Sequence, residues 1–178
     1  MNVIYIISKY LTVVGSVLKG FWEHLTCRII GIPVSDARYL QATELCGHVE
    51  HDFVRKKLPA FLVCILPGFL NLLLGAGMFV GGYFGLFVIK PHTGETIFWI
   101  YAIMLYLGAS LLCNIAPLYE DALNNWDLLY GKNSDAKLVA KIFAFIPSVI
   151  IFAASWLEKN ALSVLLYIVT IVLGAVVI

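Results

Sequence analysis

Apolar residues run through this chain in long blocks, and polar residues are confined to the gaps and to one stretch near the start. Four blocks reach the roughly 20 apolar residues that a helix needs to cross a bilayer: about 59–89, 97–117, 138–157 and 161–178. Trp99, Trp126 and Trp156 stand near their ends, where aromatic rings favour the membrane interface. The first 58 residues have a different pattern. Ile4, Ile7, Tyr10, Leu11, Val14, Val17, Leu18, Phe21 and Leu25 recur at helical spacing, with Ser8, Lys9, Thr12, Ser16, Lys19 and Glu23 between them. This predicts an amphipathic helix over 1–33 that lies in the membrane surface, with a tilted fifth span as the alternative. Gly31 and Pro33 end it, and Ser35 is placed to cap a second helix over 36–57. Leu123, Trp126 and Leu129 predict a further short helix in the 119–130 segment. The expected fold is an all-α integral membrane protein, a single domain over 1–178 with about four spans preceded by two amphipathic helices.

Composition agrees with that reading. Of 178 residues, 61% are apolar and 13% charged, against about 25% charged in soluble domains, and the mean hydropathy is +0.92. A soluble enzyme, a disordered chain and an extracellular disulfide scaffold are excluded, and a net charge of +1 gives no reason to expect nucleic acid. The expected surroundings are the lipid bilayer. Cys27, Cys46, Cys64 and Cys113 form no C-x-x-C pair and read as small hydrophobes. No cleavable signal is expected, because Lys9 and Lys19 interrupt the first apolar stretch. Residues 1–58 hold Lys9, Lys19, Arg28, Arg38, Arg55, Lys56 and Lys57, and the 119–141 region adds Lys132, Lys137 and Lys141. The opposite side has only Lys90 and Lys159. The positive-inside rule then places both termini and the 119–137 loop in the cytoplasm.

With so few charges, their grouping carries information. On a helix over 36–57, Glu44, His48 and His51 fall at i, i+4 and i+7, within an arc of about 60°, and a His/carboxylate set suits zinc. The same face meets water if the helix is simply amphipathic. A second polar cluster, Asn114 to Asp127, follows the second span. Two crossings separate the clusters, so both emerge on the cytoplasmic side, where Asp121 or Glu120 can add a ligand. Asn114 is expected to satisfy backbone groups or a neighbouring helix.

The order of these motifs resembles the site-2 intramembrane zinc metalloproteases. Glu44-Leu-Cys-Gly-His48, then Leu66-Pro-Gly-Phe-Leu-Asn71, then Asn114-Ile-Ala-Pro117 followed by Glu120-Asp121, is similar to that family's order. There a His-Glu-x-x-His helix precedes Gly-Pro-x-x-Asn, Asn-x-x-Pro and an Asp-Gly ligand. The resemblance covers about residues 40–125. It implies Glu44, His48 and Asp121 as zinc ligands, with His51 as an extra or replacement ligand, and a transmembrane protein as substrate. Leu45 stands where the family has its catalytic Glu, and Ala122 follows Asp121. Glu50 or Glu120 would then take the proton from zinc-bound water. The expectation is a divergent metalloprotease-like protein, in an active form or in one that has kept the metal and lost hydrolysis.

The competing expectation is a non-enzymatic membrane subunit or scaffold. Gly77, Gly81 and Gly85 follow one another at four-residue spacing, a face that lets another helix approach closely. The partner is a helix of the same chain by default, or a second copy in a homo-oligomer. An ion or small-molecule carrier fits less well, since the four apolar blocks hold almost no ionisable groups.

Overall fold

A computed structural model describes residues 3–39, 47–132 and 134–160, together with 164–165, 168–169 and 171–172; the side chains of residues 3–5 and 48 are outside that description. The elements are α1 (Val3–Leu11), α2 (Val13–Ile30), β1 (Val34–Arg38), β2 (His48–His51), α3 (Lys57–Phe84), α4 (Thr96–Leu112), α5 (Tyr119–Tyr130) and α6 (Leu138–Lys159). A π-helical turn, Gly85–Ile89, continues α3. The protein is mostly helical. Two helices, α3 with its π turn and α6, are long and apolar enough to cross a membrane, and α4 is a shorter apolar helix. The block expected at 161–178 lies largely outside the described residues.

The N-terminal helix breaks at Thr12, whose hydroxyl donates to the Ser8 carbonyl while its own carbonyl accepts from Asn114 Nδ2. Its polar stripe is turned inward: Ser8, Lys9, Thr12, Ser16, Lys19 and Glu23 are all buried, and Ile7, Tyr10, Leu11, Val14, Phe21 and Leu25 are exposed. This corrects the expectation of an amphipathic helix whose polar face meets water. Where the surroundings are apolar, ionisable side chains face the bundle interior and pair with one another.

Asn71 and Asn114, both fully buried, organise the centre. Asn71 Nδ2 donates to the carbonyls of Gly15 and Asn114, which joins α2, α3 and the end of α4. Asn114 donates to Thr12 and Ser110 and accepts from Ser16 Oγ at 2.9 Å and Lys9 Nζ at 2.5 Å. Asn114 thus serves the helix-joining role expected of it.

The tight face of α3 is not the one expected. A Cβ at Gly68, Gly75 or Gly82 would collide with Ile115, Leu111 and Leu105 respectively, and one at Gly85 with the Tyr101 ring. Gly77 has open space, and Gly81 meets only the end of the Met104 side chain. Of the expected trio, Gly85 alone is closely packed. Close approach to α4 and the residues just past its end follows a seven-residue spacing, that of two helices packed at a shallow angle.

The described residues of the segment expected to be a helix over 36–57 form strands on either side of 40–46, which lie outside the description. β1 and β2 form an antiparallel hairpin in which Arg38 pairs with His48, Ala37 with Val49, Asp36 with Glu50 and Val34 with His51, with an irregularity between Val34 and Asp36. Pro33 disfavours helix in the residue before it, and Gly47 adopts φ 75°, a left-handed conformation suited to glycine. Ser35, expected as a helix cap, instead donates its hydroxyl to the Glu50 carbonyl. The hairpin lies on α2. Gly20 and Gly47 touch with no room for a Cβ on either, and His24 stacks on Tyr39.

The 119–130 segment is helical, as its periodicity predicts. Ala122 of α5 packs with Cys64 of α3 and Ile151 of α6, and Trp126 and Tyr119 pack on Phe152.

Candidate metal centre

Three segments distant in sequence bring ligand-bearing side chains together at the inner face of the hairpin. The buried stripe of α2 supplies Glu23, β2 supplies His51, and the first turn of α5 supplies Asp121. One ligand atom from each lies within 4.8 Å of the others. His51 Nε2 is 3.5 Å from Asp121 Oδ1 and 3.9 Å from Glu23 Oε1. Atoms bound to one zinc at about 2.0–2.2 Å in a tetrahedron are about 3.3–3.6 Å apart. The His51–Asp121 pair already has that separation, and an ion would draw Glu23 inward from the wider spacing, within 4.8 Å, that the three atoms now keep.

Two further details fit a cation. His51 Nδ1 lies 3.1 Å from the Asp52 carbonyl; a proton on that nitrogen leaves the Nε2 lone pair facing the carboxylates. Glu23 is 4% exposed, and its Oε1 is buried without a hydrogen-bond partner, an expensive condition for a carboxylate. Burial, reinforced by the charge of Asp121, pushes the Glu23 carboxyl up to about 8. A cation shared by the three side chains would stabilise the charged carboxylate and so offset that shift.

A cavity of about 350 Å³ opens onto the cluster between the hairpin and α5, and His51, Asp121, Glu50 and Glu120 all line it. Asn124 Nδ2 donates to the Val54 carbonyl and fixes α5 against the chain leaving β2. Behind Glu23 lies a buried ionic group. Lys19 Nζ donates to the Ala116 carbonyl and lies 3.5 Å from Glu158 Oε1, and Lys9 Nζ also donates to Glu158.

Of the residues expected from sequence, the structure brings His51 and Asp121 together and sets Glu50 and Glu120, both exposed, at the mouth of the same cavity. Glu44 lies outside the described residues, as does the side chain of His48. The i, i+4, i+7 arc that joined them has no meaning on a strand, where the repeat is two. The sequence places Glu23 on the polar face of the expected surface helix and not among the ligands; the visible clue is a charged residue on a polar stripe in a chain only 13% charged. Cys27, one turn beyond Glu23 and fully buried, has its thiol pushed up to about 12 by burial and by Glu23, so it stays neutral. Compared with family models, curated proteins and solved structures, the chain matches none.

Proposed function

We propose that this chain is a multi-pass bilayer protein that binds one zinc ion through Glu23, His51 and Asp121 on the cytoplasmic side, as a divergent relative of the site-2 metalloproteases. The observation that carries the reading is the unpartnered Glu23 oxygen facing His51 and Asp121. The motif order gives support once the ligand helix is taken as α2: Asn71 and Asn114 both hydrogen-bond to the N-terminal helix around the break between α1 and α2, and Pro117 and Asp121 follow. On α2 the pair at i, i+4 is Lys19 and Glu23, and Gly20 follows Lys19. Those positions offer one ligand and no base, so retention of a metal-binding fold with hydrolysis lost is the favoured form.

Bound zinc would polarise a carbonyl or acidify a water in the cavity. The chain's own part is to orient the ion through His51, to exclude bulk water behind Glu23, and to admit an extended segment beside β2. A second reading keeps hydrolysis, with Glu50 or Glu120 as base, because both carboxylates line the cavity. Lys9 and Lys19 are buried, which leaves Arg28, Arg38, Arg55, Lys56, Lys57, Lys132, Lys137 and Lys141, none of them buried, to set the cytoplasmic orientation.

The test is elemental analysis of detergent-purified protein. About one zinc per chain is expected, as for a single three-ligand site, with loss in Asp121→Ala and His51→Ala. Wild-type protein without stoichiometric metal overturns the reading. If zinc is present, cleavage of a co-expressed membrane protein that is abolished by Glu50→Gln or Glu120→Gln selects the hydrolytic form.

A further inference from the structure

Lys19 and Glu23 occupy one face of α2 a single turn apart, a spacing at which an ammonium and a carboxylate pair readily. In this structure they do not form an ion pair. Lys19 Nζ is directed to the Ala116 carbonyl and to Glu158 Oε1, 3.5 Å away, and Glu23 Oε1 has no hydrogen bond. Glu158 reaches this position from the end of α6 and holds Lys9 on the same oxygen. Lys9 is itself fixed by Asn114 Oδ1 at 2.5 Å. Lys19, Lys9 and Glu158 are all buried, so water cannot screen the choice that Lys19 makes between two carboxylates.

We propose that Lys19 is an internal rival of the metal ion for Glu23, and that Glu158 holds it away and so keeps the metal centre open. The inference rests on the zinc reading above. If α6 withdraws, Lys19 keeps only the neutral Ala116 carbonyl, loses its charged partner Glu158, and turns to the carboxylate one helical turn away. The centre then carries a resident ammonium where the ion would bind. This makes metal affinity a function of where the last turn of α6 sits, although that turn supplies no ligand.

A simple effect of charge would give the same signs in single variants, since removing a lysine helps any cation and removing a carboxylate hinders it. The gate differs by being conditional, because Glu158 matters only while Lys19 is present. The experiment is zinc titration by calorimetry of the full-length, metal-stripped protein in detergent, using wild type, Lys19→Met, Glu158→Gln and the double variant. Lys19→Gln replaces Lys19→Met wherever the latter fails to fold. Coupling within one buried network implies about tenfold tighter binding in Lys19→Met and about tenfold weaker binding in Glu158→Gln. The double variant is expected within about threefold of Lys19→Met. If Glu158→Gln costs the same factor with and without Lys19, the effects are independent and the gate is overturned. Unchanged affinity in Lys19→Met overturns it too, and so does zinc binding that appears only when Lys19 is removed, since Glu158 would then not be holding the site open. Absence of zinc from wild type and Lys19→Met alike refutes the zinc reading itself.

Discussion

Glu23 shows how the meaning of a residue depends on which side of its helix is wet. In the sequence it belongs to a polar stripe with Ser16 and Lys19, and a stripe of that kind on a soluble helix faces water. Here it faces His51 and Asp121 with an unpartnered oxygen. Its raised pKa makes a pH prediction with a definite sign. A carboxyl that moves from 4.5 to about 8 on folding holds its proton more tightly in the folded state. Its contribution to stability is therefore complete below the unfolded pKa and is lost as pH rises through the folded one. Melting of the metal-free protein in detergent should decline between about pH 5 and 8, and Glu23→Gln should flatten that decline. Equal slopes in the two proteins would show that Glu23 does not carry it. His51 and Asp121 were legible because their types suit a metal and the two crossings expected between their clusters put both on one side. Glu23 was not, because inward and outward polar faces have the same periodicity.

Helices were legible wherever long apolar blocks or a regular period marked them. α3, α4, α5 and α6 all fall where the sequence puts them, to within a few residues. The hairpin was hidden because Glu44, His48, His51 and Arg55 happen to repeat at helical spacing, while β1 and β2 are too short for alternation to be seen. Gly47 was the contrary signal, since glycine inside a helix costs about 1 kcal/mol. The glycines of α3 make the same point about faces. A four-residue count selects Gly77, Gly81 and Gly85, whereas the close contacts occur at Gly75, Gly82 and Gly85 with α4 and at Gly68 with Ile115 just past its end. Gly82→Leu is expected to destabilise the bundle by about 1–3 kcal/mol or more, as overpacking does, and Gly77→Leu to be nearly neutral. Thermal unfolding of both variants in detergent checks this, and equal losses would refute the assigned face.

At the level of the molecule, composition leads to the expectation of a membrane protein, two helices are long and apolar enough to cross a bilayer, and the structure adds how charge is distributed. The buried interior holds Lys9, Lys19, Glu23 and Glu158, while exposed Phe143, Ile146, Ile150 and Trp156 mark the outer face of α6. The proposed topology puts the turn before α4 on one side of the bilayer and the turn before α6 on the other. In sealed vesicles with the cytoplasmic face inward, Glu95→Cys should react with an impermeant maleimide and Lys132→Cys should not, each in a background whose native cysteines are replaced by serine or alanine. The reverse pattern would invert the orientation.

Because Glu23, His51 and Asp121 arrive from α2, β2 and α5, no piece of the chain shorter than residues 23–121 contains the centre. Glu23 is made about a hundred residues before Asp121, and long-range closures of that kind form late in folding. An ion held by all three would therefore act as a fastener between the first and last thirds of the bundle, stabilising only the completed fold by mass action. Metal content would then report how many molecules have finished assembling.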